Sequence, residues 1–175
     1  AFAQAHRIPV RGHCLVWNEW TPDWLRKQSP ARVEYWMQRH IEEVVSHYAG
    51  QLHSWDVVNE PFWPQHKNPD GYRGGPWYAA MGKDYVLKAL KWARAADPAC
   101  KFTINESGPE WQNAWGPTEA YRKGILGIIA AAADAGAKID AIGLQGHWMP
   151  EFVFDARRFE EFLAQIAAAG PSIYL

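Results

Sequence analysis

The stretch LHSWDVVNEP, residues 52–61, decides the architecture. Its Trp, Val and Val at positions 55, 57 and 58 read as a buried strand, Asn59 and Glu60 stand at its end, and Pro61 stops the ladder because it has no N–H to donate. Similar stretches lie on both sides. Pro9 to Trp17 and Cys100 to Asn105 read as strands, as does Ile139 to Leu144, and Ser172-Ile173-Tyr174-Leu175 begins another. Helical patterns separate them. Ser29 is expected to cap a helix with Pro30 at its first position and Gly50 at its end. A Pro/Gly-rich loop with the turn Asn68-Pro69-Asp70-Gly71 leads to a helix from about Trp77 to Ala96. Another helix runs from Thr118 to about Ala135, and Asp155 is expected to cap a last one ending at Gly170. One strand and one helix recur every 40 residues or so, the α/β pattern of a parallel sheet.

Two architectures share this pattern, an open doubly wound sheet and a (β/α)8 barrel. No glycine-rich phosphate turn follows any strand, as a dinucleotide site would require. The strands end instead in His13/Trp17, Asn59/Glu60, Asn105/Glu106 and Gln145/His147, and barrel enzymes carry their chemistry at that C-terminal rim. The expected fold is therefore a partial (β/α)8 TIM barrel of about four and a half β/α units, with both ends of the chain inside the repeat.

Composition narrows the function. The formal net charge of -1 and pI near 6.7 argue against a phosphate-tracking surface, so no nucleic-acid partner is expected. No apolar run approaches the roughly 18 residues of a membrane span, so no membrane partner is expected either. The two cysteines, Cys14 and Cys100, fall on predicted strands in neither a CxxC nor a zinc spacing, and read as reduced core thiols. The seven histidines form no HExxH, so no metal is expected. The opening AFAQAHRIPV is no signal peptide; it reads as the tail of a helix entering a strand. Eleven tryptophans exceed what a core of this size calls for, and indole faces stack well on the C–H faces of sugar rings.

Within this frame Glu60 is the candidate acid. A carboxyl held among aromatic rings has its charged form disfavoured and can keep a proton to donate. Asn59 is placed to hydrogen-bond a substrate hydroxyl. Alternation along Arg11 to Trp17 puts His13 and Trp17 on one side, as a hydroxyl ligand and an aromatic platform. In GLQGHW, residues 143–148, Gly143 and Gly146 permit close backbone approach while Gln145 and His147 supply donors at the rim.

RGHCLVW, WDVVNEP and GLQGHW, in this order and spacing, resemble glycoside hydrolase family 10, the retaining endo-β-1,4-xylanases. The resemblance covers essentially the whole chain, from the family's third strand to the start of its seventh. It implies that Glu60 is the general acid/base, that Asn59, His13 and Trp17 line the sugar at the cleavage point, that Gln145 holds the hydrogen-bond network, and that His147 bonds to the nucleophilic Glu. That Glu ends the family's seventh strand, just past a stretch like Ile173-Tyr174-Leu175. Residues 1–175 are thus expected to be the central part of a single catalytic barrel domain truncated at both ends, and inactive in isolation. The implied ligand is xylan or a xylo-oligosaccharide, the implied location secreted or periplasmic, and no cofactor is implied, since protonation and carboxylate attack suffice. Asn18, Glu106 and Ser107 depart from the family's usual His, Asp and Tyr. Three other readings stay open at this point: a β-1,4-glucanase or cellulase, an inverting pair made by Glu60 and Glu106, and a sugar-binding barrel without catalysis.

Overall fold

A computed structural model of the protein describes residues 2–113 and 116–175. Its centre is one five-stranded sheet, β1 (Arg11–Trp17), β2 (Ser54–Asn59), β3 (Lys101–Glu106), β4 (Ala141–Leu144) and β5 (Ser172–Tyr174), in the order β1-β2-β3-β4-β5. All four pairings are parallel. Strand order equals chain order throughout. A doubly wound sheet reverses its order at a switch point, so the open alternative is excluded.

Between the strands lie α2 (Pro30–His47), α3 (Pro76–Met81), α4 (Asp84–Ala96), α5 (Thr118–Asp134) and α6 (Ala156–Ala168), preceded by a short α1 (Phe2–Ala5). Helix α2 packs on α3 and α4, and α5 on α6, so the helices form one layer. Their apolar stripes, such as Val33, Met37, Ile41 and Val45 of α2, cover the outer face of the sheet. All six residues of β2, flanked by β1 and β3, are buried.

Two expectations need correction. The helix read from Trp77 to Ala96 is two helices, because Gly82 takes φ 58° and its N–H closes on the Tyr78 carbonyl at 2.7 Å, which ends α3. Ser29 begins α2 without a side-chain cap: Pro30 presets the first turn, and the Ser29 carbonyl accepts from the Val33 N–H at 2.9 Å. Asp155 does cap α6, accepting from the Arg158 N–H at 3.1 Å. Both cysteines are free thiols, Cys100 buried and Cys14 half-buried within β1.

The register levels the strand ends. Trp17 pairs with Asn59, Asn59 with Asn105, and Asn105 with Gly143. Past the strands the ladder continues, with the Glu60 N–H on the Asn105 carbonyl at 2.7 Å and the Gln145 N–H on the Glu106 carbonyl at 3.0 Å. Inside the sheet, glycine makes room. A Cβ at Gly12 would lie 2.1 Å from a ring carbon of Trp55, so the indole rests directly on the β1 backbone. Gly12→Ala is therefore expected to cost about 1–3 kcal/mol, since a buried ring on a central strand has nowhere to retreat. Urea denaturation checks this, and an unchanged midpoint would mean that Trp55 does not rest there.

Candidate active site

Glu60 sits one residue past β2 with φ 48°, a left-handed conformation uncommon outside glycine. That turn carries the chain out of the sheet while the carboxylate stays at the rim. Three side chains donate to it. The Trp17 indole N–H reaches Oε2 at 3.2 Å, the Arg73 Nη2 reaches Oε2 at 3.0 Å, and the Gln145 Nε2 reaches Oε1 at 3.1 Å. The surroundings thus differ from the apolar cage expected of Glu60: one aromatic ring presents its polar edge, and a guanidinium lies against the carboxylate.

Beside Glu60 runs a polar chain. Asn59 Oδ1 accepts from Asn105 Nδ2 at 2.8 Å and Gln145 Nε2 at 3.2 Å, which orients the Asn59 amide with Nδ2 turned away. With both Gln145 N–H groups used, its Oε1 at 2.7 Å must accept from His147 Nε2, so His147 carries its proton there. His147 is thereby tied to Gln145. On β2, Asp56 takes the β1 residues Arg11 and His13, Arg11 Nε at 2.8 Å on one oxygen and His13 Nδ1 at 2.9 Å on the other. His13 is the third residue of β1, paired with Asp56, and so lies below the rim rather than at the strand end. Its half-exposed ring still lines the same hollow.

Two hollows meet at Glu60. One, of about 570 Å³, is lined by Arg11, His13, Asn59, Gln145 and Leu175 among others. The other, of about 560 Å³, is lined by Glu19, Arg26, Trp63, His66 and Ser107 among others. Trp17, Glu60 and His147 belong to both, so the carboxylate stands on the ridge between them. An extended ligand lying across that ridge would present a middle bond to Glu60. Of the tryptophans, Trp55 and Trp111 are buried, Trp17 lines both hollows, Trp63 lines the second, and Trp115 lies outside the described residues.

Glu106 is placed otherwise than the sequence suggests. It is 0% exposed, and its two oxygens accept the backbone N–H groups of Phe62 at 3.0 Å and Ser107 at 2.9 Å. It pins the loop after Glu60 and cannot reach a substrate, which removes the inverting pair. Burial, opposed by those two N–H groups, raises its pKa well above the ordinary carboxylate value, and the nearby Glu60 charge adds to the rise.

Comparison with known proteins gives the family and the fold. The family model described as glycosyl hydrolase family 10 matches residues 1–175. The chain belongs to glycosyl hydrolase family 10. It is 34% identical over 172 residues to a β-1,4-xylanase of Dictyoglomus thermophilum, covering 94% of this chain and 46% of that protein. It is 36% identical to endo-1,4-β-xylanase A of Thermotoga neapolitana, covering 95% of this chain and 15% of that one. Native xylanase 10B from Thermotoga maritima superimposes with a TM-score of 0.86 at 30% identity, over 99% of this chain and 51% of that structure. The chain thus spans about half or less of the length of these relatives, and the five strands are part of the family 10 TIM barrel.

The departures from the family 10 pattern now have physical content. Asn18 is buried, its Oδ1 accepting the first free N–H groups of α3, from Trp77 at 3.1 Å and Tyr78 at 3.4 Å. Gly75 permits this, since a Cβ there would lie 2.6 Å from the Asn18 carbonyl. Reading along the sequence missed two residues. Arg73 returns to Glu60 from 13 positions on. Glu110, buried, accepts from Gly108 at 2.9 Å and Gly146 at 3.0 Å, joining the loops after β3 and β4. Neither stands in a strand-end pattern, so no local signal marks them.

Replacing Glu106 tests its pinning role. Glu106→Gln sets an NH2 against a backbone N–H and is expected to cost about 1–3 kcal/mol. The pH dependence of stability should change too. With a raised folded pKa, wild-type Glu106 contributes stability fully present below its unfolded value and lost as pH rises through the folded one. The neutral Gln lacks that slope. Denaturation midpoints across pH check both, and an unaltered slope would show that Glu106 titrates normally.

Proposed function

We propose that the full-length protein hydrolyses internal β-1,4-xylosidic bonds of xylan with retention of configuration, with Glu60 as general acid and then general base. The observation that carries this is the Glu60 carboxylate on the ridge between two hollows, held by Trp17, Arg73 and Gln145. Xylan is favoured over a glucan because the relatives described above are named xylanases. A related xylanase 10B from Thermotoga petrophila has been solved with xylobiose.

In this reading one sugar lies over Asn59, His13 and Gln145, and the leaving group extends across Trp17 toward Trp63. Glu60 protonates the glycosidic oxygen as a second carboxylate attacks the anomeric carbon. Deprotonated Glu60 then takes a proton from the water that releases the sugar. Leu175 lines the hollow beside Glu60, so a residue continuing β5 enters the same space. A nucleophile there, about 5–5.5 Å from Glu60, would make a retaining pair. Residues 1–175 would then form the central part of one catalytic barrel domain. A polymer of this kind does not cross a membrane, which supports a secreted or periplasmic location.

Glu60→Ala in the full-length protein is expected to slow hydrolysis about 10²–10⁴-fold for substrates with poor leaving groups. An aryl xylobioside whose leaving group needs no proton should still form the covalent intermediate. Azide, which needs no general base, should restore turnover and yield a β-glycosyl azide. An α-configured product in the NMR spectrum, or a Glu60→Ala protein as active as the parent on xylan, would sink the assignment.

A further inference from the structure

Arg73 is more deeply committed than a substrate ligand would be. Only 4% of its side chain is exposed, yet it makes contacts in four directions. Nη2 donates to Glu60 Oε2 at 3.0 Å, and Nε donates to the Glu60 backbone carbonyl at 3.0 Å. Nη1 pairs with the Glu19 carboxylate on the loop after β1. The guanidinium lies over the Trp63 ring, 4.3 Å from its centroid. Its own backbone is held as well, the N–H on the Pro61 carbonyl at 2.7 Å and the carbonyl accepting from Asn18 at 3.4 Å.

We propose that Arg73 is a positioning residue for Glu60 and that Glu19 sets the strength of its field, so the loop after β1 tunes the pH range of the reaction. This rests on the reading of Glu60 as the acid/base. A cation at hydrogen-bond distance favours the carboxylate over the acid. That helps Glu60 as a base and hinders it as an acid. Glu19 draws on the opposite side of the same guanidinium and offsets the attraction. Its side chain is 48% exposed, so its influence is partly screened and should fade with added salt. Other titratable or charged groups around Glu60 are Cys14 on β1, its thiol pushed up by burial to about 11, Arg11 and His13 on β1 paired with Asp56 on β2, Glu106 on β3, Tyr121 on α5, Arg26 and His66 in the second hollow, and His147 behind Gln145. The variants below leave all of these in place.

The test uses the full-length protein with Glu19→Gln, Arg73→Lys and Arg73→Met. Two readouts apply: the alkaline limb of the kcat/KM profile on xylo-oligosaccharides, and a carboxyl carbon-13 NMR titration of Glu60, assigned by its loss in Glu60→Gln. Glu19→Gln frees the guanidinium to act on Glu60, so both the limb and the titration should move to lower pH by about half a unit or more, less at high salt. Arg73→Met should move both up by about 1–3 units. Arg73→Lys keeps the charge but not the fork that grips carboxylate and carbonyl together. Its limb should stay near the wild-type position while kcat falls about tenfold and KM changes little. Should Arg73→Met prove unfolded by circular dichroism, Glu19→Gln, a change at an exposed carboxylate, decides the matter. If Glu19→Gln and a folded Arg73→Met lose activity equally at every pH, with the Glu60 titration unmoved, Arg73 is reduced to a structural part and the proposal is overturned. Titrations that move as stated in a protein without xylanase activity would support the coupling and overturn the catalytic reading instead.

Discussion

A buried guanidinium must have its charge answered, and Arg73 finds carboxylates at Glu60 and Glu19. Removing one partner from a buried ion pair typically costs about 3–5 kcal/mol, far more than most surface contacts are worth. The loop from Pro61 to Gly75 is therefore constrained to return. Phe62 and Tyr72 form an antiparallel bridge across it, and Arg73 closes it on both the carbonyl and the carboxylate of Glu60. The left-handed backbone at Glu60 costs on the order of 1 kcal/mol, and this closure holds it in place. The candidate acid is thus held through its backbone as well as through its side chain.

The rest of the rim follows from a second requirement, that buried polar groups be paired. Asp56 binds Arg11 and His13, Asn105 binds Asn59 and Arg11, and Gln145 joins Asn59 to Glu60 and His147. Gly143 is small because Arg11 and Asn105 occupy its side-chain space, a Cβ there lying 2.4 Å from each. Two further carboxyls serve the backbone alone: Glu106 holds the loop after Glu60, and Glu110 joins the loops after β3 and β4. Glu60 thus differs in its work from Glu106 and Glu110. Burial and partner decide which one faces solvent and substrate.

The fold was legible because it rests on short-range patterns. Strand-length apolar runs ending in polar residues, separated by helical stretches, specify a parallel sheet, and the lack of a glycine-rich phosphate turn directly after any strand argues against a nucleotide fold. Where the reading failed, the reason is local. The break between α3 and α4 at Gly82 depends on a backbone angle that a glycine permits but does not require. Ser29 has the right side chain for a cap, but the conformation it adopts makes no such bond.

The amino-acid sequence by itself determined the parallel sheet, the family, and the positions of Asn59, Glu60, Gln145 and His147 at strand ends, since one residue's shift in register would turn each of them to the other face. Only the tertiary structure decided what each does. Glu106 follows the same strand-end pattern as Glu60, yet its carboxyl turns inward to two backbone N–H groups, while Glu60 turns out to Trp17 and Gln145. Arg73 carries no pattern at all and reaches Glu60 because its loop closes. The physical reason is that hydrogen bonds and charges act over a few ångströms in space, and a loop of 13 residues brings together groups that no periodicity along the chain relates.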